Sequence, residues 1–218
     1  MKKISKIFNR KDAGSMGIGA MIIFIAMVLV AGIAASVFVQ VANQLQMQAL
    51  YTGQETIDEV ATGVGVVDVE GFVANASNGI DKLCIGVRGR AGAGDVDISE
   101  TVIELADDAT KVILRYNNSL YAIKPASSGV FDTLTFDLGS DEFGLIVIED
   151  ADGSCQKTTP VINKGDLVML TVNTSATFNP GISARTDIWG NVIPEIGSWG
   201  IIAFRTPATY TDNVYDLQ

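Results

Sequence analysis

The chain has 218 residues, fifteen Lys and Arg against twenty-five Asp and Glu, a net charge of −10 and no histidine. That length allows one domain of about 150 residues beside a long N-terminal segment. An acidic surface repels nucleic-acid phosphate, and lack of histidine removes the commonest general base and metal ligand near neutral pH, so the composition argues against a nucleic-acid partner and against an ordinary catalytic or metal centre.

The charge is unevenly spread. Residues 1–14 hold Lys2, Lys3, Lys6, Arg10 and Lys11 against Asp12, for +4, which leaves ten basic and twenty-four acidic residues, −14, for the rest. Residues 15–54 carry no charge at all. The apolar run from Met16 to about Val41 is too long for a secretory signal, whose apolar region covers about 7–15 residues, and long enough for a spanning helix, which needs about 20. The basic residues before it hold its start in the cytoplasm by the positive-inside rule.

Beyond Phe38 the chain continues as VQVANQLQMQALYTGQETIDEVATG, polar but helix-compatible, with Phe38, Val41 and Leu45, then Ile57 and Val60, at spacings of three or four. The pattern predicts one helix over residues 15–62, stopping at Gly63, about 72 Å long at 1.5 Å per residue and more than twice the hydrocarbon thickness. Small residues lie four apart at Ala31/Ala35 and Gly32/Ser36, a spacing that lets helix backbones approach closely. Gly and Ala are also common in membrane helices for no special reason. Length and small residues together favour packing against copies of the same helix.

From Val64 the apolar residues switch to β-branched, alternating runs between turn residues: VGVVDVEGFV, LCIGVRG, VDISETVIEL, KVILRY, FDTLTFDL, FGLIVIED, DLVMLTVN and WGIIAFRT. Short strands at such intervals predict an antiparallel sandwich or barrel over residues 63–218, with Pro207 at an edge or terminus. Cys84 and Cys155 are the only cysteines; outside the cell such a pair can oxidise, and the alternative is two separate thiols. Asn75-Ala76-Ser77, Asn117-Asn118-Ser119 and Asn173-Thr174-Ser175 match the N-glycosylation acceptor pattern.

The acidic clusters, including Glu149, Asp150 and Asp152, lack the EF-hand spacing and read as solvated loop charge, and GRAGAGD lacks the Lys-Ser/Thr of a phosphate-binding loop. No catalytic residue, metal ligand set or cofactor motif is assigned. Trp189, Trp199, Phe178 and Phe204 crowd the last forty-one residues, where a core role is the default and a subunit contact the alternative.

The stretch DAGSMGIGAMIIFIAMVLVAGIAASVF closely resembles the N-terminus of archaeal flagellins (archaellins), above all in Gly17-Ile18-Gly19 and the run from Phe24 to Ala31. Bacterial type IV pilins share the layout but carry Glu at the fifth mature position, which here is Gly19. A second likeness lies in VIPEIGSWGIIAFRTPATYTDNVYDLQ, with its pattern at Pro194, Glu195, Gly197, Thr206, Pro207 and Tyr210. About residues 75–165 carry no family motif.

The resemblance implies a prepilin-type leader, residues 1–14, cut between Gly14 and Ser15 by a prepilin-type peptidase. It implies an N-terminal helix that spans the membrane before assembly and forms the filament core afterwards, with Gly17, Gly19, Ala31, Gly32, Ala35 and Ser36 as packing residues. An immunoglobulin-like β domain and N-glycosylation at one or more of Asn75, Asn117 and Asn173 complete the expectation. The implied function is the structural subunit of the archaeal flagellum filament, polymerising with itself, driven by a separate membrane platform and ATPase. An adhesive type IV pilin or a membrane-anchored surface binding protein are the rival readings.

Overall fold

The computed structural model describes residues 10–75, 77–127, 129–137 and 139–218. Lys2, Lys3 and Lys6 of the expected leader, Ala76 of the first glycosylation triplet and Leu138 lie outside the described residues. The chain divides into two compact units, Met1–Gln54 and Glu55–Gln218.

Helix α1 runs from Arg10–Ala61 without a proline, built largely from strong helix formers such as Ala, Met, Leu and Gln. Its end matches the sequence expectation to one residue. Its start lies inside the expected leader, so no break in secondary structure marks the Gly14 to Ser15 junction. Thr62 donates the last helical bond, N to the Asp58 oxygen at 2.8 Å, and Gly63 follows at φ +155°, where any side chain would collide with Ser198. Glycine just past a helix end is the residue that tolerates such a backbone.

The second unit is β-rich. In chain order the strands are β1 Val64–Phe72, β2 Lys82–Gly89, β3 Val96–Asp97, β4 Val102–Ala106, β5 Lys111–Ala122, β6 Glu142–Glu149, β7 Val161–Ile162, β8 Leu167–Val172, β9 Asp187–Ile193, β10 Gly200–Arg205 and β11 Val214–Asp216. Nine form one sheet in the order β10-β9-β4-β5-β6-β8-β2-β1-β11, and β3 pairs with β7 apart from it. Every neighbouring pair in the large sheet is antiparallel except β5 with β6.

The sheet curls until its far members meet. Gly200 of β10 backs onto Val66 of β1, where an added Cβ would lie 3.0 Å from the Val66 side chain. The Gln218 side-chain amide spans the remaining gap: its oxygen accepts from the Ala203 N–H at 2.8 Å and its nitrogen donates to the Ile201 carbonyl at 3.1 Å. That amide takes the place of a peptide group beside β10 and satisfies backbone groups that an open edge would leave bare.

Inside the curl, alternate residues of each strand form one core, with Leu83, Ile85, Leu105, Leu114, Phe143, Leu145, Leu170 and Ile202 fully buried. Strands β2, β6 and β8 are covered on their outer face as well. There Cys84 and Ile146 pack with Phe131 and Phe136, with Met169 and Phe72 alongside. The cover is the run read from sequence as the strand FDTLTFDL. It forms instead two 3-10 turns, Val130–Asp132 and Leu134–Phe136, in which the Phe131 ring stacks on Phe72 of β1 at 5.3 Å and meets the Phe136 ring at a tilt at 5.6 Å. Gly144 admits this cover, since a Cβ there would sit 2.7 Å from the Thr135 carbonyl.

The same geometry overturns the possible Cys84 to Cys155 disulfide. Both cysteines are free and buried. Successive strand residues point to opposite faces, so while Leu83 and Ile85 enter the inner core, Cys84 faces the outer cluster, whereas Cys155 sits in the inner one. Burial pushes the Cys155 thiol up to about 12 and the Cys84 thiol higher, so neither is a ready thiolate.

The default core role for the late aromatics holds for Phe204, 7% exposed, and for Phe178, which packs against the core. It fails for the two tryptophans: Trp189 is 48% and Trp199 53% exposed. In β9 the alternation sends Ile188 and Val192 inward and Trp189 out.

Candidate functional site

The most distinctive surface of the first unit is α1 itself. Within Met16–Ala61 the helix is apolar enough to cross a membrane, and none of its most apolar window is buried. Met21, Ile22, Ile23, Phe24 and Ile25 follow one another, so the helix is apolar around its whole circumference, and all five are more than half exposed. A helix hydrophobic all round requires a surrounding apolar medium, either lipid or other helices.

The small residues singled out from sequence leave open space on this surface. Ala31, Gly32, Ala35 and Ser36 are exposed, Gly17 is exposed and Gly19 half-buried, and an added Cβ at Gly17, Gly19 or Gly32 meets no atom within 4 Å. Ile23, Ala26, Met27, Val30, Ala31 and Ala34 line a shallow groove along the helix. Gly14 is likewise exposed with empty space around it.

The three glycosylation candidates differ in how far their amides are engaged. Asn75 is exposed; its side-chain oxygen accepts from the Ser77 N–H at 3.1 Å, and its backbone oxygen from the Asn78 N–H. Asn117 is half-buried in β5, its amide nitrogen donating to Glu142 at 2.9 Å and its oxygen accepting from the Ser119 N–H at 2.9 Å. Asn173, also half-buried, caps the short helix α2 Thr174–Thr177 and accepts from Ser175 Oγ at 2.7 Å. The acceptor amide must be free to react, so Asn75 is the best placed.

The sequence reading took Asp150 and Asp152, with Glu149, as solvated loop charge and left out Asp166, which joins them. The carboxylates of Asp150, Asp152 and Asp166 each offer an oxygen within 4.8 Å of the others. Asp166 is 2% exposed, one of its oxygens accepts from the Asn163 N–H at 2.9 Å, and the other has no hydrogen-bond partner among the described residues. Hydrogen bonds from Ser154 and Asn163 hold the Asp152 carboxyl below its usual range, which keeps it ionised. Three oxygens so close suit a hard divalent cation of the calcium type. Asp166 lies far along the chain from Asp150 and Asp152, so spacing alone carried no signal of the group.

Comparison with known proteins places these features. The model of the archaeal-type flagellin family matches residues 14–204. Flagellin B2 of Methanocaldococcus jannaschii is 44% identical over 97% of this chain and 98% of its own length, and flagellin B1 of Methanococcus voltae is 37% identical over 98% and 99%. The crystal structure of archaeal flagellin FlaB1 from Methanocaldococcus jannaschii superposes with a TM-score of 0.67 at 34% identity, covering 72% of this chain and 98% of that one. A subunit of the archaeal flagellum of Methanospirillum hungatei shares the fold over 91% of this chain and 98% of its own, with a TM-score of 0.63 at 14% identity. By family model and by sequence identity along nearly its whole length, the chain belongs to the archaeal-type flagellins.

Proposed function

We propose that this protein is a structural subunit of the archaeal flagellum filament, extracellular once assembled and polymerising with copies of itself through α1. The observation that carries the reading is the apolar helix of Met16–Ala61, with nothing buried in its most apolar window. A helix that moves from lipid into a bundle of its own kind exchanges one set of dispersion contacts for another, so close backbone approach decides the preference. Ala31, Gly32, Ala35 and Ser36, with Gly17 and Gly19, supply the approach.

The cut between Gly14 and Ser15 by a prepilin-type peptidase releases this helix. The junction sits in the first turns of α1, where a helix end opens at little cost. Removing residues 1–14 removes five basic residues and a net charge of +4, the charge that holds the precursor's start on the cytoplasmic side. Assembly then draws on a membrane platform and an ATPase, and the filament turns for swimming. Asn75 is the first acceptor for an N-linked glycan. The protein performs no catalysis of its own.

N-terminal sequencing of this protein from sheared extracellular filaments tests the reading. A start at Ser15 is expected. A start at Met1 with the protein confined to membranes overturns it. Deletion of the protein is expected to abolish swimming; loss of surface attachment with swimming intact would make it an adhesive pilin.

A further inference from the structure

Residues 214–218, which are β11 and the two residues after it, lie as a strap across the seam where the curled sheet meets itself. On one side the Leu217 N–H donates to the Val69 carbonyl of β1 at 2.8 Å, and the Val69 N–H donates to the Gln218 backbone oxygen at 3.2 Å. On the other side the Gln218 side chain holds Ala203 and Ile201 of β10. Tyr215 and Leu217 pack against the core, but Val214 is exposed and β11 pairs with β1 over three residues only. So short a strand closes firmly only if nothing beside it pushes it away.

On the outer face the strap meets like charge. Register sets Asp216 directly opposite Glu70 and Glu70 opposite Cys84, while Val69 turns into the core. Asp68 lies across β2, where a side chain on Gly86 would strike its carboxylate. Asp68 and Glu70 are half-buried and Asp216 is exposed, and none of the three is in an ion pair among the described residues. The cations of β2 do not answer them. Lys82, diagonal to Glu70, donates from Nζ to the Phe131 carbonyl and sits 5.5 Å and 5.2 Å from the Phe72 and Phe136 ring centres. Arg88 lies beyond Gly86 and makes no ion pair among the described residues. Cys84 is a neutral thiol, and Thr171 of β8, next in the row, carries no charge. Carboxylates directly opposite each other across a strand pair are destabilising. Burial, then Asp68 and Asp216, raises the Glu70 carboxyl above its usual range.

We propose that residues 214–218 form a pH-sensitive strap: a proton taken up between Glu70 and Asp216 tightens it across the seam, and ionisation of Glu70 loosens it. Releasing the strap returns water to Glu70 and takes Asp216 away, so the closed state holds the proton more tightly than the open one. Its contribution to closure is therefore full below the ordinary carboxylate value, about 4.3, and is lost as pH rises through the higher folded value. Loosening bares the Ala203 N–H, the Ile201 carbonyl and both Val69 backbone groups, the bonds of an open sheet edge. Above that range the seam is where the domain opens first. The strap belongs to the single chain and works the same whether or not the chain assembles.

Amide hydrogen exchange of the full chain in detergent, read residue by residue by mass spectrometry, tests this directly. The amides of Leu217, Val69 and Ala203 report the strap, because each is bonded within it or to it. Dividing each rate by that of the same unstructured peptide at the same pH removes the exchange chemistry's own pH dependence. Protection of the three amides is expected to fall several-fold between about pH 4 and about pH 7, while amides of β6, in the middle of the sheet, change far less. Glu70→Gln, which keeps the shape and removes the charge, is expected to hold protection near its acid value throughout. Asp216→Asn, at an exposed position that leaves folding intact, is expected to shrink the fall, and it decides the matter if Glu70→Gln disturbs the domain. No fall in the unaltered chain, a fall shared equally by β6, or a fall unchanged in a folded variant overturns the proposal.

Discussion

Helix α1 and the β domain bury hydrophobic residues by opposite routes. In the β domain, strands alternate and curl, so Phe143, Leu145 and Leu170 disappear from solvent within one chain. In α1 the apolar residues run on without alternation, and Phe24, Leu29 and Ile33 are 67%, 62% and 66% exposed. The first region is a folded domain in the usual sense; the second is half of an interface, complete only with lipid or other copies around it. Apolar composition alone therefore says that burial is needed, not which molecule provides it.

The sharpest way to break this contrast is to separate the two parts. Deleting residues 1–54, the first compact unit, is expected to abolish membrane association and filament formation entirely, while the remaining domain unfolds in one cooperative thermal transition. A domain that failed to fold would show that α1 supports it. Next in size, Phe143→Ala removes a fully buried ring and is expected to cost about 3–5 kcal/mol in urea unfolding of the β domain. Phe24→Ala is expected to leave that transition within about 0.5 kcal/mol, yet to weaken the filament.

The carboxylate cluster offers a middle-sized effect. Calcium at a hundred times its dissociation constant is expected to stabilise the β domain by about 2.7 kcal/mol, and Asp166→Asn to remove that gain, both read by thermal melts with and without chelator. The smallest effect belongs to the Glu104 to Lys111 pair. The Lys111 hydrogen bond, joined by one from Asn191, lowers the Glu104 carboxyl below its usual value. A depressed carboxyl contributes stability above its unfolded value, near pH 4.3, and loses it as pH falls through the folded value. Lys111→Ala is expected to cost less than about 1 kcal/mol near neutrality, because Lys111 is largely exposed, and to flatten the stability profile below about pH 4.

Much of the architecture was legible residue by residue. The helix end at Gly63 and strands β1, β2, β4, β5, β6, β8 and β10 follow local patterns of apolar residues and turns, with β3 read as one run with β4, whereas the two-residue β7 and three-residue β11 were not read at all. Strand β9, DIWGNVI, did not stand out, because Gly190 and Asn191 read as turn residues. In the fold Gly190 is needed where β9 crosses close to β4: a side chain there would strike the Glu104 carbonyl. The run from Phe131 to Phe136 alternates as a strand would, but it meets a sheet whose inner face is already filled, so its rings serve as a lid on the outer face. That Asp166 joins Asp150 and Asp152, and the fates of Cys84 and Cys155, were invisible for a related reason, since each depends on where a residue from a distant segment meets the sheet.

The sequence by itself determined the long uncharged helix, the basic segment before it, the small residues along it and the β-rich domain after it. These are local properties, set by the hydropathy and conformational preference of neighbouring residues. Only the tertiary structure decided that the cysteines stand on opposite faces of a sheet, that Asp166 joins Asp150 and Asp152, and that both tryptophans face outward. Those outcomes depend on register between segments far apart in the chain, where shifting a strand by a single residue exchanges its two faces.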